Sequence, residues 1–356
     1  MKNSKVLVVG GAGFVGSNLC KRFLKAGAAE IVILDNFLSA DIVNVPNVDK
    51  IRLINGSCSD DRVLARLDKK FDYIFHLATY HGNQSSIADP VEDHRNNALT
   101  TLKLCEHFKS REIKKFVYAS AGCTVAEKTF DEAEATKEDK LVSLFLDSPY
   151  QISKIIGEFY GNYYWMRHKF PFVKARFQNV YGPGEILGAG KWRGTPATVW
   201  RNVVPTFIWK SIHEESLPVE NGGIVSRDFI YVEDIVDGLI DCALKGKTGE
   251  VYNLASGEER TIRELAETIN ALTRNPASIQ FEPARNWDRS GRRYGDTVKA
   301  EKEIGFKSKI GLEKGLQETI KWAIQNRETI RRCILQHRFY LPELACYQFS
   351  IEERVV

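Results

Sequence analysis

At 356 residues and 40.4 kDa, the chain has room for one large α/β domain and a smaller companion lobe. Its 50 Lys and Arg against 46 Asp and Glu leave a net charge of +4, mixed along the sequence, which argues against a dedicated nucleic-acid binder. No apolar run approaches the roughly 18 residues of a membrane span, residues 1–5 lead into a strand without a signal-peptide core, and the seven cysteines show neither zinc nor disulfide spacing. The expectation is a cytoplasmic protein with no membrane segment and no metal.

In chain order, six short runs rich in Val, Ile and Phe read as strands: 6–9, 31–34, 51–54, 73–76, 116–119 and 173–177. Each is almost wholly apolar rather than alternating, as expected for a parallel sheet covered by helices on both faces. Helical segments such as 17–26 and 98–109 separate them. The fold expected is α/β, a doubly wound, Rossmann-like parallel sheet with ligands at the carboxyl ends of its strands. After about residue 180 a stretch rich in Gly, Trp and Arg breaks the pattern, and helices are predicted over 262–272 and 312–326. This divides the chain into an NAD-binding domain over 1–180, with a return near 225–255, and a mainly substrate-binding lobe over 181–330. Residues 331–356 read as a helical tail of unassigned role.

The run Gly10-Gly11-Ala12-Gly13-Phe14-Val15-Gly16 follows the first strand and opens the first helix. Gly10 permits the tight turn, Gly13 the approach of a pyrophosphate, and Gly16 the packing of helix on strand. The anion would sit on free N–H groups at the helix start, including those of Phe14 and Val15. Asp35 ends the second strand, followed by Asn36, and a carboxylate there accepts from the adenosine ribose hydroxyls. A 2′-phosphate would meet like charge, so NAD is expected over NADP.

Farther on, Tyr150 and Lys154 stand four residues apart in Ser148-Pro149-Tyr150-Gln151-Ile152-Ser153-Lys154 and share one helix face. A phenol ionises near pH 10, but a nearby ammonium and a positive nicotinamide ring both favour the phenolate. Tyr150 is thus a candidate to take a hydroxyl proton while hydride leaves for NAD.

The glycine turn, Asp35, His76-Leu77-Ala78-Thr79, Asn97, Tyr150 with Lys154, Asn179-Val180-Tyr181-Gly182-Pro183 and Arg227-Asp228-Phe229 through Asp234 occur in that order. Together they resemble the extended short-chain dehydrogenase/reductase family, in particular its NAD-dependent nucleotide-sugar epimerases and dehydratases of O-antigen and surface-polysaccharide pathways. The likeness covers roughly residues 5–325. It implies NAD recycled within each turnover, a nucleotide-diphosphate sugar as substrate, and a homodimer built through a four-helix interface. It also implies that Leu77, Ala78, Thr79, Asn97, Tyr150 and Lys154 lie along the cofactor, that Asn179 meets the sugar nucleotide, and that Arg227 contacts its phosphates, for which a guanidinium fork is suited. Arg285, Arg289 and Arg292 form a second basic cluster where the family holds nucleotide phosphates.

Departures from that pattern narrow the chemistry. The family's hydroxyl after the fifth strand falls on Ala121, so Ser120 or Thr124 would supply that contact. The adjacent Asp-Glu pair of sugar 4,6-dehydratases reads Gly122-Cys123. Cys123 stands where GDP-mannose 3,5-epimerases carry an acid/base cysteine. A thiol with a pKa near 8.5 suits proton exchange beside a ketone, while a small buried core cysteine is the competing reading. The loop around Lys191 and Trp192 either closes over the sugar or is surface. Ser57, followed by Cys58, replaces an adenine-contacting Asp of relatives. His76 and His81 read as structural, and Phe207 with Trp209 as core. An epimerase passing through a transient keto-sugar is the function expected. The alternatives are a dehydratase or decarboxylase, a dehydrogenase or reductase consuming external nicotinamide, and an NAD-binding scaffold.

Overall fold

Alternation along the strands decides which residues each face of the sheet receives. In β1 (Lys5–Val9), Val6 and Val8 enter one core while Leu7 and Val9 enter the other. In β2 (Glu30–Asp35), Ile31 and Ile33 join the first and Val32 and Leu34 the second. Both faces are covered, so both alternating sets are apolar and the strands read as continuous hydrophobic runs.

The computed structural model describes residues 1–125, 129–286, 288 and 291–348. It contains α1 (Phe14–Lys25), β3 (Ile51–Asn55), β4 (Tyr73–His76), α2 (Ala98–Phe108), β5 (Lys115–Ala121), α3 (Pro149–His168), β6 (Phe172–Phe177), α4 (Val232–Leu244) and β7 (Val251–Leu254). The seven strands form one sheet in the order β7-β6-β5-β4-β1-β2-β3, and every pairing is parallel. The chain steps outward from β1 through β2 to β3, then crosses to β4 on the other side of β1. Strand order therefore reverses between β1 and β4, and the crevice at their carboxyl ends is where such sheets bind ligands. Register brings Val9 level with Leu34 and His76, so the loops after β1, β2 and β4 share one rim.

Helix α3 starts with Ser148 as N-cap, accepting from the Gln151 N–H, and Pro149 in its first turn, and ends at Lys169 in the left-handed region. It lies close on the sheet: a Cβ at Gly157 would meet the Tyr118 hydroxyl at 2.2 Å, and one at Gly161 the Phe172 ring at 2.1 Å. Small residues at these two positions set the depth at which Tyr150 and Lys154 enter the site.

Beyond residue 181 a separate core gathers Leu187, Val199, Phe207, Trp209, Leu217, Leu265 and Leu316. The C-terminal segment belongs to it. Helix Arg327–Leu335 contributes Ile330, Cys333 and Ile334, and the turn Pro342–Tyr347 contributes Leu344 and Tyr347. No helix among the described residues is long and apolar enough to cross a membrane.

Candidate active site

The glycine turn forms the floor of the crevice. Gly10 has φ +86°, and a Cβ there would meet the Ala78 nitrogen at 2.5 Å; one at Gly16 would meet the Gly10 carbonyl at 2.1 Å. Side chains are excluded at both. Gly13 is the N-cap of α1, with no side-chain cap and no acidic residue in the first turn, which leaves the first N–H groups of the helix for an anion. Asp35 is 8% exposed; its Oδ2 accepts from the Ala12 N–H and its Oδ1 from the Phe37 N–H, both at 2.9 Å. Burial raises its pKa, partly offset by those N–H groups. Asp35 thus orders the glycine loop from the end of β2. Asn36 accepts from the Leu38 N–H at 3.0 Å. The Gly56 N–H donates to the Asp35 carbonyl at 2.9 Å, which brings the turn after β3 alongside. In that turn Ser57 pairs its hydroxyl with Ser59 at 2.9 Å, while Cys58 is core and its thiol is pushed up to about 12 by burial. Uncapped helix start, steric cradle and carboxylate together fit a dinucleotide.

On the opposite rim, Leu77 and Ala78 donate their N–H groups to the Val9 carbonyl. Asn97, 2% exposed, organises the loop after β4: its Oδ1 accepts from the Thr79 hydroxyl at 3.0 Å and the Tyr80 N–H at 2.7 Å, and its Nδ2 donates to Asp93 at 2.7 Å and Ser153 at 3.1 Å. This chain of bonds ties that loop to α3. Lys154, 3% exposed, donates to the Ala119 carbonyl at 2.9 Å and lies 5.8 Å from the centre of the Tyr150 ring. Burial lowers its pKa to about 8, against Asp93 and Cys123. Burial also raises the Tyr150 phenol, with a hydrogen bond to Thr79 opposing. In the chain alone the phenol therefore keeps its proton; a further positive charge at the site is what would release it.

The turn after β5 separates the three candidates found there. Ser120 is buried and donates to Glu158 at 2.6 Å, and Glu158 in turn pairs with Arg176. Thr124 donates to the Ala121 carbonyl at 2.8 Å. Cys123 is half-buried; burial raises its thiol, Arg293 and Arg227 oppose that, and its charge bears on both Tyr150 and Lys154. Of the three, Cys123 is the one the fold joins electrostatically to the Tyr-Lys pair. At Gly122 a Cβ would meet the Gln178 amide at 2.2 Å, so the Gln178 side chain packs against the backbone there and would have to move for a larger residue.

The arginines also sort by partner. Arg227 is 9% exposed and donates to the Ser226 and Gly291 carbonyls, with Asp288 at 3.7 Å. Arg285 is exposed and pairs with Glu220, and Arg292 spends its fork on Glu259 at 2.9 Å. Arg289 lies outside the described residues. Arg293, not singled out from the sequence, has no ion pair or side-chain hydrogen bond among the described residues, and its charge bears on Arg227 and Cys123. In a run of two arginines, only the register against Glu259 decides which one is free. Asn179 pairs its backbone with Asp228 beside Arg227. Lys191 is exposed, and Trp192 stacks on Tyr340 in the C-terminal segment with ring centres 4.6 Å apart. The neighbouring Arg193 is instead the side chain that turns inward, 4% exposed.

The chain is similar to known proteins over most of its length. The family model described as NAD dependent epimerase/dehydratase family matches residues 6–255. The Bordetella bronchiseptica enzyme WbmF, solved in complex with NAD+ and UDP, is 52% identical with a TM-score of 0.87, over 95% of this chain and 98% of that one. An epimerase from Methanothermobacter thermautotrophicus is 38% identical with a TM-score of 0.86, over 93% and 95%. Human dTDP-D-glucose 4,6-dehydratase is 26% identical over 340 residues, 90% of each chain.

Proposed function

Because the chain belongs to the NAD dependent epimerase/dehydratase family, we propose that it is an NAD-dependent epimerase of a nucleotide-diphosphate sugar, acting through a transient keto-sugar. The observation that carries this reading is the site around Lys154: a buried ammonium beside Tyr150, a lone thiol at Cys123, and a glycine rather than a carboxylate at 122. Bound NAD supplies a hydride acceptor that later returns the hydride, so the reaction has no net oxidation. Tyr150 takes the proton of the sugar hydroxyl and gives one back when the carbonyl is reduced. Lys154 favours the phenolate, and Thr79, held by its hydrogen bond to Asn97, lies beside the phenol and opposes the rise of its pKa. A 4,6-dehydratase must remove the C5 proton beside the C4 ketone and expel the C6 hydroxyl as water, which calls for a base and an acid where this chain has Gly122 and Cys123.

The sugar nucleotide enters from the arginine side. Arg227 and Arg293 are the proposed diphosphate ligands, with Asn179 beside them. Uridine is the proposed base, supported by the UDP held by WbmF. Residues 1–180 with the return at 225–255 hold NAD in this proposal, and 181–330 hold the sugar nucleotide. The setting proposed is the cytoplasm, on precursors of O-antigen or other surface polysaccharide; seven cysteines with no disulfide among the described residues suit a reducing compartment. A homodimer is proposed through α2 and α3, since Ile152, Phe159, Tyr163 and Met166 line the outer face of α3 with 45, 57, 51 and 61% exposure.

The test is incubation with UDP-hexoses, UDP-N-acetylhexosamines and UDP-hexuronates in heavy water, read by proton NMR. Interconversion without solvent deuterium indicates inversion at the oxidised carbon. Deuterium at an adjacent carbon, lost in Cys123→Ala, brings the thiol in as acid/base. A stable keto product rejects the epimerase in favour of a dehydratase.

A further inference from the structure

The segment 184–201 crosses all three walls of the dinucleotide crevice. It begins over the first turn of α1, where Asn18 donates to the Pro183 carbonyl at 3.0 Å and a Cβ at Gly184 would meet the same amide at 2.9 Å. It then packs on the loop after β2. A Cβ at Gly190 would meet the Leu38 carbonyl at 2.3 Å, the Lys191 N–H donates to that carbonyl at 3.0 Å, Arg193 Nη1 bonds the Ser39 hydroxyl, and Arg201 donates to the Ser39 carbonyl at 2.9 Å. On the far side it reaches the loop after β4, with the Arg193 guanidinium 5.9 Å from the Tyr80 ring centre and its charge bearing on His81. The loops after β2 and β4 flank β1 on its two sides. A side chain that touches both therefore bridges the gap whose floor is Gly10–Gly13.

Arg193 is poorly satisfied where it sits. It is 4% exposed, its Nε and Nη2 have no hydrogen-bond partner, and no carboxylate among the described residues pairs with it. Arg201, beside it, has a free Nε as well. An uncompensated buried cation is costly, and a fold keeps one where an anion supplies the missing charge. The anion that belongs over a glycine turn and an uncapped helix start is a diphosphate, and a guanidinium fork matches phosphate oxygens with two N–H groups.

We propose that segment 184–201 is a strap over the cofactor and that Arg193 binds the diphosphate of NAD from above, opposite the N–H groups of α1. The inference rests on NAD occupying this crevice. The strap is held down from outside: Gln336 and His337 reach the Gly188 carbonyl at 2.6 and 2.8 Å, and Trp192 lies flat on Tyr340.

The experiment compares the wild-type holoenzyme with Arg193→Met and Arg193→Lys. Exchange of bound NAD against labelled NAD is followed over time, and affinities for ADP-ribose, adenosine and UDP are measured by calorimetry. In Arg193→Met, NAD exchange should quicken and ADP-ribose binding weaken by about 10- to 100-fold, the scale of one charge-assisted pair. Adenosine and UDP affinities should be unchanged. Arg193→Lys, which keeps the charge and loses the fork, should fall between, and it carries the test if the Met variant does not fold. Exchange at the wild-type rate in Arg193→Lys and Arg193→Met overturns the assignment, as does a loss confined to UDP or to a sugar nucleotide with an acidic sugar. If wild-type protein itself neither retains nor binds NAD, the cofactor reading fails, and that result is separate from these.

Discussion

Lys154 sends its ammonium to the Ala119 carbonyl at 2.9 Å and holds it 5.8 Å from the centre of the Tyr150 ring. The bond fixes the lysine under the phenol without neutralising it, because a carbonyl accepts a hydrogen bond but carries no charge. Tyr150→Phe should lower kcat by about 10²- to 10⁴-fold, the range for loss of a positioned proton-transfer group, with NAD content by mass spectrometry unchanged. The pH profile has a definite sign. A lysine whose pKa is lowered to about 8 sheds its charge as pH rises through that value, so kcat/KM should fall on the alkaline side. Lys154→Arg stays charged and should remove that limb from whatever activity remains; a limb at the same pH in Lys154→Arg would assign it to another group.

Ser120 is tied to a buried ion pair. Its hydroxyl donates to Glu158, and Arg176 meets both oxygens of that carboxylate, with Glu158 and Arg176 side chains each 5% exposed. Ser120→Ala should therefore destabilise the fold by about 1.5–3 kcal/mol, the worth of a hydrogen bond to a charged group, and leave kcat within about threefold. Glu158→Gln leaves Arg176 buried without its counter-charge and should cost about 3–5 kcal/mol. Denaturant unfolding and steady-state rates on the same preparations check both. A large kcat loss in Ser120→Ala at unchanged stability would make Ser120 the hydroxyl that meets the sugar.

His76 bonds Thr101 at 3.0 Å through Nε2 and is 1% exposed; burial lowers its pKa from 6.5 to about 3. Unfolded, the ring binds its proton at the ordinary value; folded, it stays neutral. Between those two values the unfolded chain holds more protons, so stability is lost as pH falls from 6.5 toward 3. Urea midpoints for His76→Asn, measured across that window, should slope less steeply with pH than those of the wild type. Parallel slopes would mean that the ring is already charged in the fold.

Much of the architecture can be read from the chain because the strands are buried on both faces and their apolar runs are unbroken. The crevice is legible for a similar reason: Gly10, Gly16 and Asp35 are required by close approach and backbone bonding within 30 residues of one another, and local spacing records them. The residues that sequence ranks poorly depend on long-range register. Ser120 and Cys123 stand three apart, yet only the first faces Glu158, on a helix formed 38 residues later. Arg292 and Arg293 are adjacent, and the pairing of one with Glu259 is what leaves the other free. Arg193 is one position from Trp192, but the path of a glycine-rich segment decides that the indole turns to the C-terminal tail and the guanidinium to the crevice.

That tail offers the last prediction. Trp192 and Tyr340 stack with ring centres 4.6 Å apart and planes 2° from parallel, although Tyr340 is 58% exposed. An exposed aromatic retained in a flat stack does little for a core, so its effect falls on the segment it covers. Tyr340→Ala should lose about 0.5–1.5 kcal/mol of pair energy, and the loss should appear locally, as about tenfold less hydrogen-exchange protection over 184–201 with the sheet unaffected. Trp192→Ala should give the same pattern, and the double variant little more than either alone, since both remove one interaction. Unaltered protection over 184–201 in Tyr340→Ala would mean that Gln336 and His337 hold the segment by themselves.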